Sequence, residues 1–185
     1  MMDIAQNAPE TVIMAQDEAG VYLQSTTIAV WYQRGQSPVV RIDPGREKSC
    51  FYGSLNLLTG QEIAMQTPLM NAEMTAQHLK QILLAYPDRP ILIFWDRAPW
   101  HKGPAIRQLL EENPRLELIF FPVASPELNP QEHVWKATRK AVSHNHFVPR
   151  LAELAKRFED YLMSHTFATS FLDRFGYNAI RPMFI

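Results

Sequence analysis

The stretch ILIFWDRAPWH, residues 91–101, decides the fold that this sequence predicts. Its first five residues, Ile91 to Trp95, are all apolar, which is typical of a strand buried on both faces of a parallel sheet. The run ends at Asp96, and open α/β sheets bind their ligands beyond the carboxyl ends of such strands. An acidic side chain against an apolar strand is costly unless its charge is compensated, and a divalent metal ion is a common compensation. The stretch therefore predicts an α/β fold with a polar site at Asp96.

Helices and strands are predicted to alternate around this central strand. Apolar residues at helical spacing indicate helices, and β-branched or aromatic runs between Gly and Pro residues indicate strands. In chain order, the predicted elements are strands at Val12–Leu23, Ile28–Gln33, Ser49–Leu58 and Glu62–Gln66, a helix around Met74–Leu83, the strand Ile91–Trp95, a helix around Ile106–Leu110, a buried strand at Leu116–Phe121, and helices at Pro130–Ser143 and Leu151–Met163. An antiparallel meander followed by alternating helices and strands makes a mixed sheet flanked by helices.

Size and composition predict one soluble globular domain. The 185 residues can form a substantial core, and 46% hydrophobic with 20% charged residues is ordinary for such a protein. Residues 1–10 are expected to form a loose tail, and residues 11–185 a single domain. The single cysteine, Cys50, excludes an intrachain disulfide and is expected to be a buried thiol. The sequence has no secretory signal and no apolar run of roughly 20 residues, so we expect a cytoplasmic protein without a membrane span.

Two further carboxylates share the setting of Asp96. Asp17 lies within VIMAQDEAG, in the first predicted strand, and Glu132 lies within SPELNPQEHVW, 36 positions after Asp96. Two Asp and one Glu, without Cys or clustered His, favour magnesium or manganese over zinc. Two such ions roughly 4 Å apart can support phosphoryl transfer. Simpler interpretations remain open: Asp17 as a solvent-facing residue at a strand bulge, Asp96 as a helix N-cap, and Glu132 in a capping box begun by Asn129-Pro130.

Basic residues follow two of the three carboxylates, although the net charge of the chain is only −1. These two clusters comprise Arg97, Lys102 and Arg107, and Lys136, Arg139 and Lys140. They are either solvated helix faces or a local nucleic-acid surface, and charge alone does not decide between these. His101 likewise either contacts a phosphate or ends a loop. The tripeptide His144-Asn145-His146 is interpreted as the exit of a helix.

Four motifs resemble the catalytic domain of DDE transposases, in particular the bacterial insertion-sequence branch of the mariner superfamily. They are QDEAG (16–20), RGQSPVV (34–40), ILIFWDRAPWHKG (91–103) and FPVASPELNPQEHVWKATRK (121–140), in the family's order. The resemblance extends from about Met14 to Lys140, and SPELNPQEHVW is its most specific part. It implies a ribonuclease H-like fold with a mixed five-stranded sheet flanked by helices. The first Asp is then expected on the first strand, the second after the fourth strand, and the Glu at the start of a helix.

Residue by residue, the resemblance implies that Asp17, Asp96 and Glu132 are the catalytic residues and the metal ligands. Two magnesium ions are expected in the active form, and manganese is expected to substitute for them. The family hydrolyses DNA at transposon ends and joins the freed 3′ hydroxyls to target DNA, usually at TA dinucleotides. The implied DNA-binding residues are Arg97, His101, Lys102, Lys136, Arg139 and Lys140.

The sequence also departs from the family's pattern. Arg97 takes the place of a common Asn, and the stretch from Phe121 to Ala124 is poorer in Pro and Tyr than usual. Only 16 residues precede Asp17, whereas relatives carry upstream helix-turn-helix domains. The expected partner is therefore a separate transposase part that bears a helix-turn-helix, or a second copy of the chain. The alternatives are an inactive remnant that binds full-length transposase, and another ribonuclease H-like nuclease.

Overall fold

The computed structural model describes residues 8, 10–24, 26–41, 45–123 and 125–167. Most of the predicted N-terminal tail and residues 168–185 of the predicted domain lie outside these ranges. Within them, the strands are β1 (Val12–Tyr22), β2 (Lys48–Asn56), β3 (Glu62–Thr67), β4 (Ile91–Trp95) and β5 (Leu116–Phe120), and the α-helices are α1 (Ala72–Ala85), α2 (Pro104–Glu112), α3 (Pro130–Val142) and α4 (Leu151–Ser164). Two short 3-10 helices, Pro99–His101 and Pro126–Leu128, follow β4 and β5. In the described ranges, no helix has the length and apolar character needed to cross a membrane.

The five strands form one mixed sheet in the order β3-β2-β1-β4-β5. Strands β1 and β2 pair antiparallel although the long connection 23–47 separates them, and β2 and β3 pair antiparallel across the short connection 57–61. Strand β4 runs parallel to β1, and β5 runs parallel to β4, because a helix separates each pair along the chain. The predicted mixed five-stranded sheet is confirmed, and the carboxyl ends of β1 and β4 point the same way.

The sheet separates two apolar cores. One packs β1 and β2 against α3 and α4, with Ile13 and Ala15 contributed by β1. The other packs β1, β4 and β5 against α1 and α2, with Val12 and Met14 contributed by β1. Since successive side chains of a strand point to opposite faces, adjacent residues of β1 enter different cores. This alternation decides where the acidic residues Asp17 and Glu18, in the middle of β1, point.

Two strand predictions need correction. Residues Ile28–Gln33 are irregular rather than a strand, and Trp31 is fully exposed. The backbone of Ile28 is hydrogen bonded to the side chain of Asn145 at 3.0 Å through both its N–H and its C=O, and β-propensity without a partner strand does not make a ladder. Strand β5 was predicted to be buried, but it is the edge of the sheet, and Phe120 is 37% exposed.

Other predictions about local structure are confirmed. Cys50 is a buried thiol, with 3% of its surface exposed. A turn also joins β2 to β3, and Gly60, which follows it, adopts a positive φ of 73°. The tripeptide that begins at His144 follows the end of α3 at Val142, as expected of a helix exit.

Candidate active site

Asp17, Asp96 and Glu132 meet at one cavity of about 300 Å³. They come from three separate elements: the second half of β1, the residue after β4, and the first turn of α3. The cavity is otherwise lined by Arg97, Ala98, Phe121, Pro122, Val123, Ser125, Pro126 and Asn129. The parallel alignment of β1 and β4 brings the two Asp residues to the same end of the sheet, where the sequence predicted them.

Asp17 is a partly buried carboxylate in a regular strand. β1 and β2 pair residue for residue around it, so the alternative of a solvent-facing residue at a bulge is wrong. The indole Nε1 of Trp135 on α3 donates a hydrogen bond to Asp17 Oδ2 at 3.2 Å. Burial, together with the negative charges of Glu18, Glu132 and Asp96, raises the pKa of Asp17 to about 8. The site thus places an acidic group where no nearby positive charge fully compensates it.

Asp96 is held by the loop that follows β4. Its Oδ1 accepts a hydrogen bond from the Ala98 backbone N–H at 2.8 Å and lies 3.0 Å from His101 Nδ1. The bond from His101 lowers the pKa of Asp96, although partial burial acts in the opposite direction. Asp96 is not the N-cap of α2, because that helix begins at Pro104 after Gly103.

Glu132 projects from the N-terminal turn of α3. The N-cap is Asn129, whose side chain accepts a hydrogen bond from the Gln131 backbone N–H at 3.1 Å, and Pro130 occupies the first helical position. The capping interpretation is therefore correct for Asn129. The Glu132 side chain is exposed and lines the cavity. The cap and the carboxylate thus have separate roles, and the cap fixes the direction in which the helix presents Glu132.

A buried network that the sequence analysis missed lies behind Asp96. Glu18 follows Asp17 in β1 but points to the opposite face, where its Oε1 lies 2.9 Å from His101 Nε2. Burial alone would lower the pKa of His101, but the hydrogen bonds to Asp96 and Glu18 outweigh it and raise this pKa to about 9. Strand alternation next to Asp17 was the available signal, since a buried Glu18 requires a partner.

His101 itself does not reach the protein surface. Only 3% of the residue is exposed, and its ring stacks on Trp95 with ring centroids 4.2 Å apart. A buried imidazole between two carboxylates cannot contact a DNA phosphate directly. The structure therefore corrects the prediction that His101 is a DNA-binding residue.

A second buried carboxylate, Glu62, lies beneath the α3 side of the site and was also missed. Its Oε1 accepts a hydrogen bond from Gln131 Nε2 at 2.5 Å. Burial raises the pKa of Glu62 well above its ordinary value. Gly53 leaves the space for this pair, because a Cβ there would overlap Gln131, Glu62 and Trp135.

The predicted basic residues are distributed over three places. Arg97 lines the cavity, and its guanidinium lies 4.9 Å from the centroid of the Phe120 ring. Lys102 and Arg107 line a separate, largely apolar cavity of about 480 Å³ beside α2. Lys136 and Arg139 line a groove of about 650 Å³ along α3 that shares Glu132 with the first cavity. Lys140 is exposed on the same helix.

Arg139 is the predicted basic residue that reaches furthest inward. Burial lowers its pKa, and the charges of Glu132 and Asp17 oppose that shift. Its guanidinium also donates a hydrogen bond to the Gly20 carbonyl at 3.4 Å. Arg139 is therefore a partial counter-charge for two of the three carboxylates.

The donor chemistry of the three carboxylates fits a hard divalent cation. All of their donor atoms are oxygens, and they share one cavity. Among the residues that the structure describes, no three His, Cys, Asp or Glu side chains are close enough together, as placed, to hold a metal ion. Asp17 bonds to Trp135, and Asp96 bonds to Ala98 and His101. As placed, the carboxylates of Asp17 and Asp96 are thus engaged by protein donors.

Comparison with known proteins shows the family. The family model of the DDE superfamily endonucleases matches residues 12–155. The chain is 27% identical over 155 residues to a 39 kDa protein of insertion element IS630 from Shigella sonnei, covering 83% of this chain and 45% of that protein. It is 32% identical over 90 residues to protein y4pE/y4sA of Sinorhizobium fredii, covering 48% of this chain and 63% of that protein. The chain thus spans less than two thirds of the length of either relative.

Solved structures show the same fold. The Mos1 transposase paired-end complex with the left transposon end matches with a TM-score of 0.65 and 16% identity, over 99% of this chain and 60% of that chain. The catalytic domain of Mos1 mariner transposase matches with a TM-score of 0.60 and 14% identity, over 98% of this chain and 83% of that chain. The predicted ribonuclease H-like fold is confirmed. On the match of its family model, this chain belongs to the DDE superfamily endonucleases.

Proposed function

We propose that this chain is the catalytic core of a transposase that hydrolyses DNA phosphodiester bonds and transfers the freed strand to target DNA. The observation that carries this proposal is the meeting of Asp17, Asp96 and Glu132 at one cavity. Three acidic side chains from three elements, one of them the partly buried Asp17 with its pKa raised to about 8, form an arrangement that a divalent cation would stabilise.

Asp17, Asp96 and Glu132 are the residues that would hold two magnesium or manganese ions. Solved Mos1 paired-end complexes with Mn and with Mg support this choice of metal. When bound, such ions supply an activated water or hydroxyl and a positive charge that neutralises the scissile phosphate. The chain's own residues determine where this takes place: Asp17 is held by a five-stranded sheet, and Glu132 by a capped helix.

The groove along α3 is the proposed path of the DNA strand. It begins at Glu132 and continues past Lys136 and Arg139, which lie one and two turns further along the helix. Their positive charges would neutralise phosphates without reading the base sequence. Arg97 would contact the phosphate nearest to Asp96, and Lys102 and Lys140 would contribute at greater distance from the cavity. Structures of Mos1 with transposon ends support DNA as the ligand of this fold.

The wider biological setting is also part of the proposal. Transposon ends and TA-type target sites are the proposed substrates, and the cytoplasm is the proposed location. A transposase part that bears a helix-turn-helix, or a second copy of the chain, is the proposed partner, since a transposition reaction must hold two DNA ends together. Residues 11–185 would then act as one catalytic domain within that assembly.

The test is nicking of supercoiled plasmid and of transposon-end DNA in Mn²⁺ by the chain and by three variants, Asp17→Asn, Asp96→Asn and Glu132→Gln. Each variant is expected to lose at least 100-fold in nicking rate, because each removes a ligand charge. Glu111→Gln, an exposed position on α2, is the matched control and is expected to retain the activity. Nicking that survives Asp96→Asn would refute the ligand assignment, and a folded chain without nicking or Mn²⁺ binding would favour an inactive remnant.

A further inference from the structure

We propose that Glu18 is a positioning residue of the active site, which sets the place of Asp96 through His101. The inference rests on the proposed function, because it concerns how the proposed ligand Asp96 is held. Glu18 adjoins Asp17 in sequence but lies on the other face of β1, on the side of the sheet that packs against α1 and α2. Its side chain therefore does not enter the cavity, and any effect that it has on the site must be indirect.

Glu18 cannot act on a metal ion or on DNA directly. Its side chain is 2% exposed, and three donors surround it. Gln16 Nε2 and His101 Nε2 lie 2.7 and 2.9 Å from Oε1, and Trp100 Nε1 donates to Oε2 at 2.8 Å. A buried carboxylate with this many donors is held in a single orientation. The carboxylate of Glu18 can therefore hold its hydrogen-bond partners in fixed positions.

His101 connects the carboxylate of Glu18 to Asp96. Its Nε2 faces Glu18, and its Nδ1 lies 3.0 Å from both Oδ1 and the backbone carbonyl oxygen of Asp96. The side chain of Asp96 is 54% exposed, so few other groups hold its rotamer. The two contacts of the imidazole therefore fix the backbone and the carboxylate of Asp96 together. Outer partners of this kind commonly change metal affinity by 10- to 100-fold when removed.

The network also connects the two strands that carry the Asp residues. Glu18 belongs to β1, while His101 belongs to the 3-10 helix that follows β4, and the parallel ladder between these strands includes the pair Ala15 and Phe94. Beyond this ladder, the Glu18–His101 contact fastens the loop after β4 to β1. A displacement of about 1 Å in a reacting group can cost 100-fold in rate, so this connection matters for the separation of Asp17 and Asp96.

The experiment measures Mn²⁺ affinity by isothermal titration calorimetry, with no DNA present, on chains shown to be folded by circular dichroism. Glu18→Gln is expected to weaken Mn²⁺ binding by 10- to 100-fold, because the amide places a donor where three donors already converge. His101→Asn is expected to have a similar effect. In the double variant the loss should equal that of His101→Asn alone, because both residues act through one contact.

Two controls separate positioning from general destabilisation. Leu162→Ala removes a fully buried side chain of α4 on the far face of the sheet and should lower stability without changing Mn²⁺ affinity. Trp100→Phe keeps an aromatic ring but removes one donor to Glu18, and it should weaken Mn²⁺ binding by only a few fold. If Glu18→Gln does not fold, Trp100→Phe and the crystal structure of His101→Asn carry the test, since the carboxylate of Asp96 should leave its present position in the latter.

The outcomes distinguish this inference from the proposed function. A wild-type chain that binds Mn²⁺ through Asp96, with an affinity that Glu18→Gln leaves within twofold, would overturn the positioning role alone. The positioning role would also be overturned if the double variant lost Mn²⁺ affinity by the product of the two single losses. It would likewise be overturned if Trp100→Phe left Mn²⁺ affinity unchanged and the carboxylate of Asp96 kept its position in His101→Asn. Mn²⁺ binding that is indifferent to Asp96→Asn would instead overturn the ligand assignment, and the inference with it.

Discussion

Gly53 lies directly opposite Asp17 in the antiparallel pairing of β1 and β2. A side chain at this position would enter the space that Gln131, Glu62 and Trp135 occupy beneath the site. Trp135 is also the donor to Asp17 Oδ2. The pairing thus allows α3 to approach the sheet closely enough for its tryptophan to hold the carboxylate.

The first prediction concerns this close approach. Gly53→Ala should lower the free energy of unfolding by about 1–3 kcal/mol, because the new methyl group overpacks a buried site. It should also reduce nicking, since it displaces Trp135 and Asp17. Urea denaturation and the plasmid assay measure the two effects. Gly20→Ala is the control, because its Cβ would meet only the half-exposed ring of Tyr22, at 3.3 Å, and that ring is free to move aside. Equal stability losses in the two variants would contradict the prediction.

The second prediction concerns the buried carboxyl group of Glu62. Burial raises its pKa in the folded state, so the folded protein keeps a proton that the unfolded chain releases above about pH 4.5. Stability is therefore lost as the pH rises above that value. Glu62→Gln retains the acceptor for Gln131 and should stabilise the protein at pH 7, by an amount on the order of 1–2 kcal/mol.

Thermal unfolding of the Glu62→Gln variant and of the wild type, followed from pH 4 to pH 8, checks this prediction. The gain should disappear near pH 4, where the carboxyl group is protonated in both folded and unfolded chains. A gain that is independent of pH would show that packing, rather than protonation, is responsible.

The third prediction has the opposite sign. His78 is fully buried against Ser54, and burial lowers its pKa to about 3. The unfolded chain takes up a proton below the ordinary histidine pKa of 6.5, while the folded protein does not, so stability falls from pH 6.5 towards pH 3. Between pH 7 and pH 5, the free energy of unfolding should therefore fall by about 2 kcal/mol less in His78→Gln than in the wild type. Urea unfolding at these two pH values provides the measurement, and equal losses of stability in both proteins would contradict the prediction.

The fourth prediction separates the inward-facing basic residue from the solvated ones. Arg139→Gln should reduce nicking by about 10-fold or more, because it removes a partly buried counter-charge near Asp17 and Glu132. Lys140→Gln, one position further along the same helix and exposed, should reduce it by less than about threefold, and only at low salt. Nicking rates at 50 and 200 mM salt, where the Debye lengths are about 14 and 7 Å, compare the two variants. If the two variants reduced nicking equally and both reductions disappeared at high salt, both residues would act only through screened surface charge.

Much of the fold could be predicted from local sequence. The apolar run Ile91–Trp95 and the spacing of apolar residues in the helices determine elements whose stability depends on burial of their own side chains. Asn129-Pro130 likewise predicts the start of α3, because capping is a local interaction. The error at Ile28–Gln33 arose because a strand also needs a neighbouring backbone, and that requirement is not local.

Some features of the candidate site could likewise be predicted from the sequence, and others could not. The sequence by itself determined that Asp96 follows a buried strand and that Glu132 lies in the first turn of a helix, and the motifs around Asp17, Asp96 and Glu132 predicted that the three belong together. Only the tertiary structure decided that Glu18 and His101 form a buried pair behind Asp96, and that Gly53 makes room for Glu62. These contacts join residues up to 83 positions apart, and their energy depends on burial and mutual orientation, which exist only once the sheet and its helices have packed.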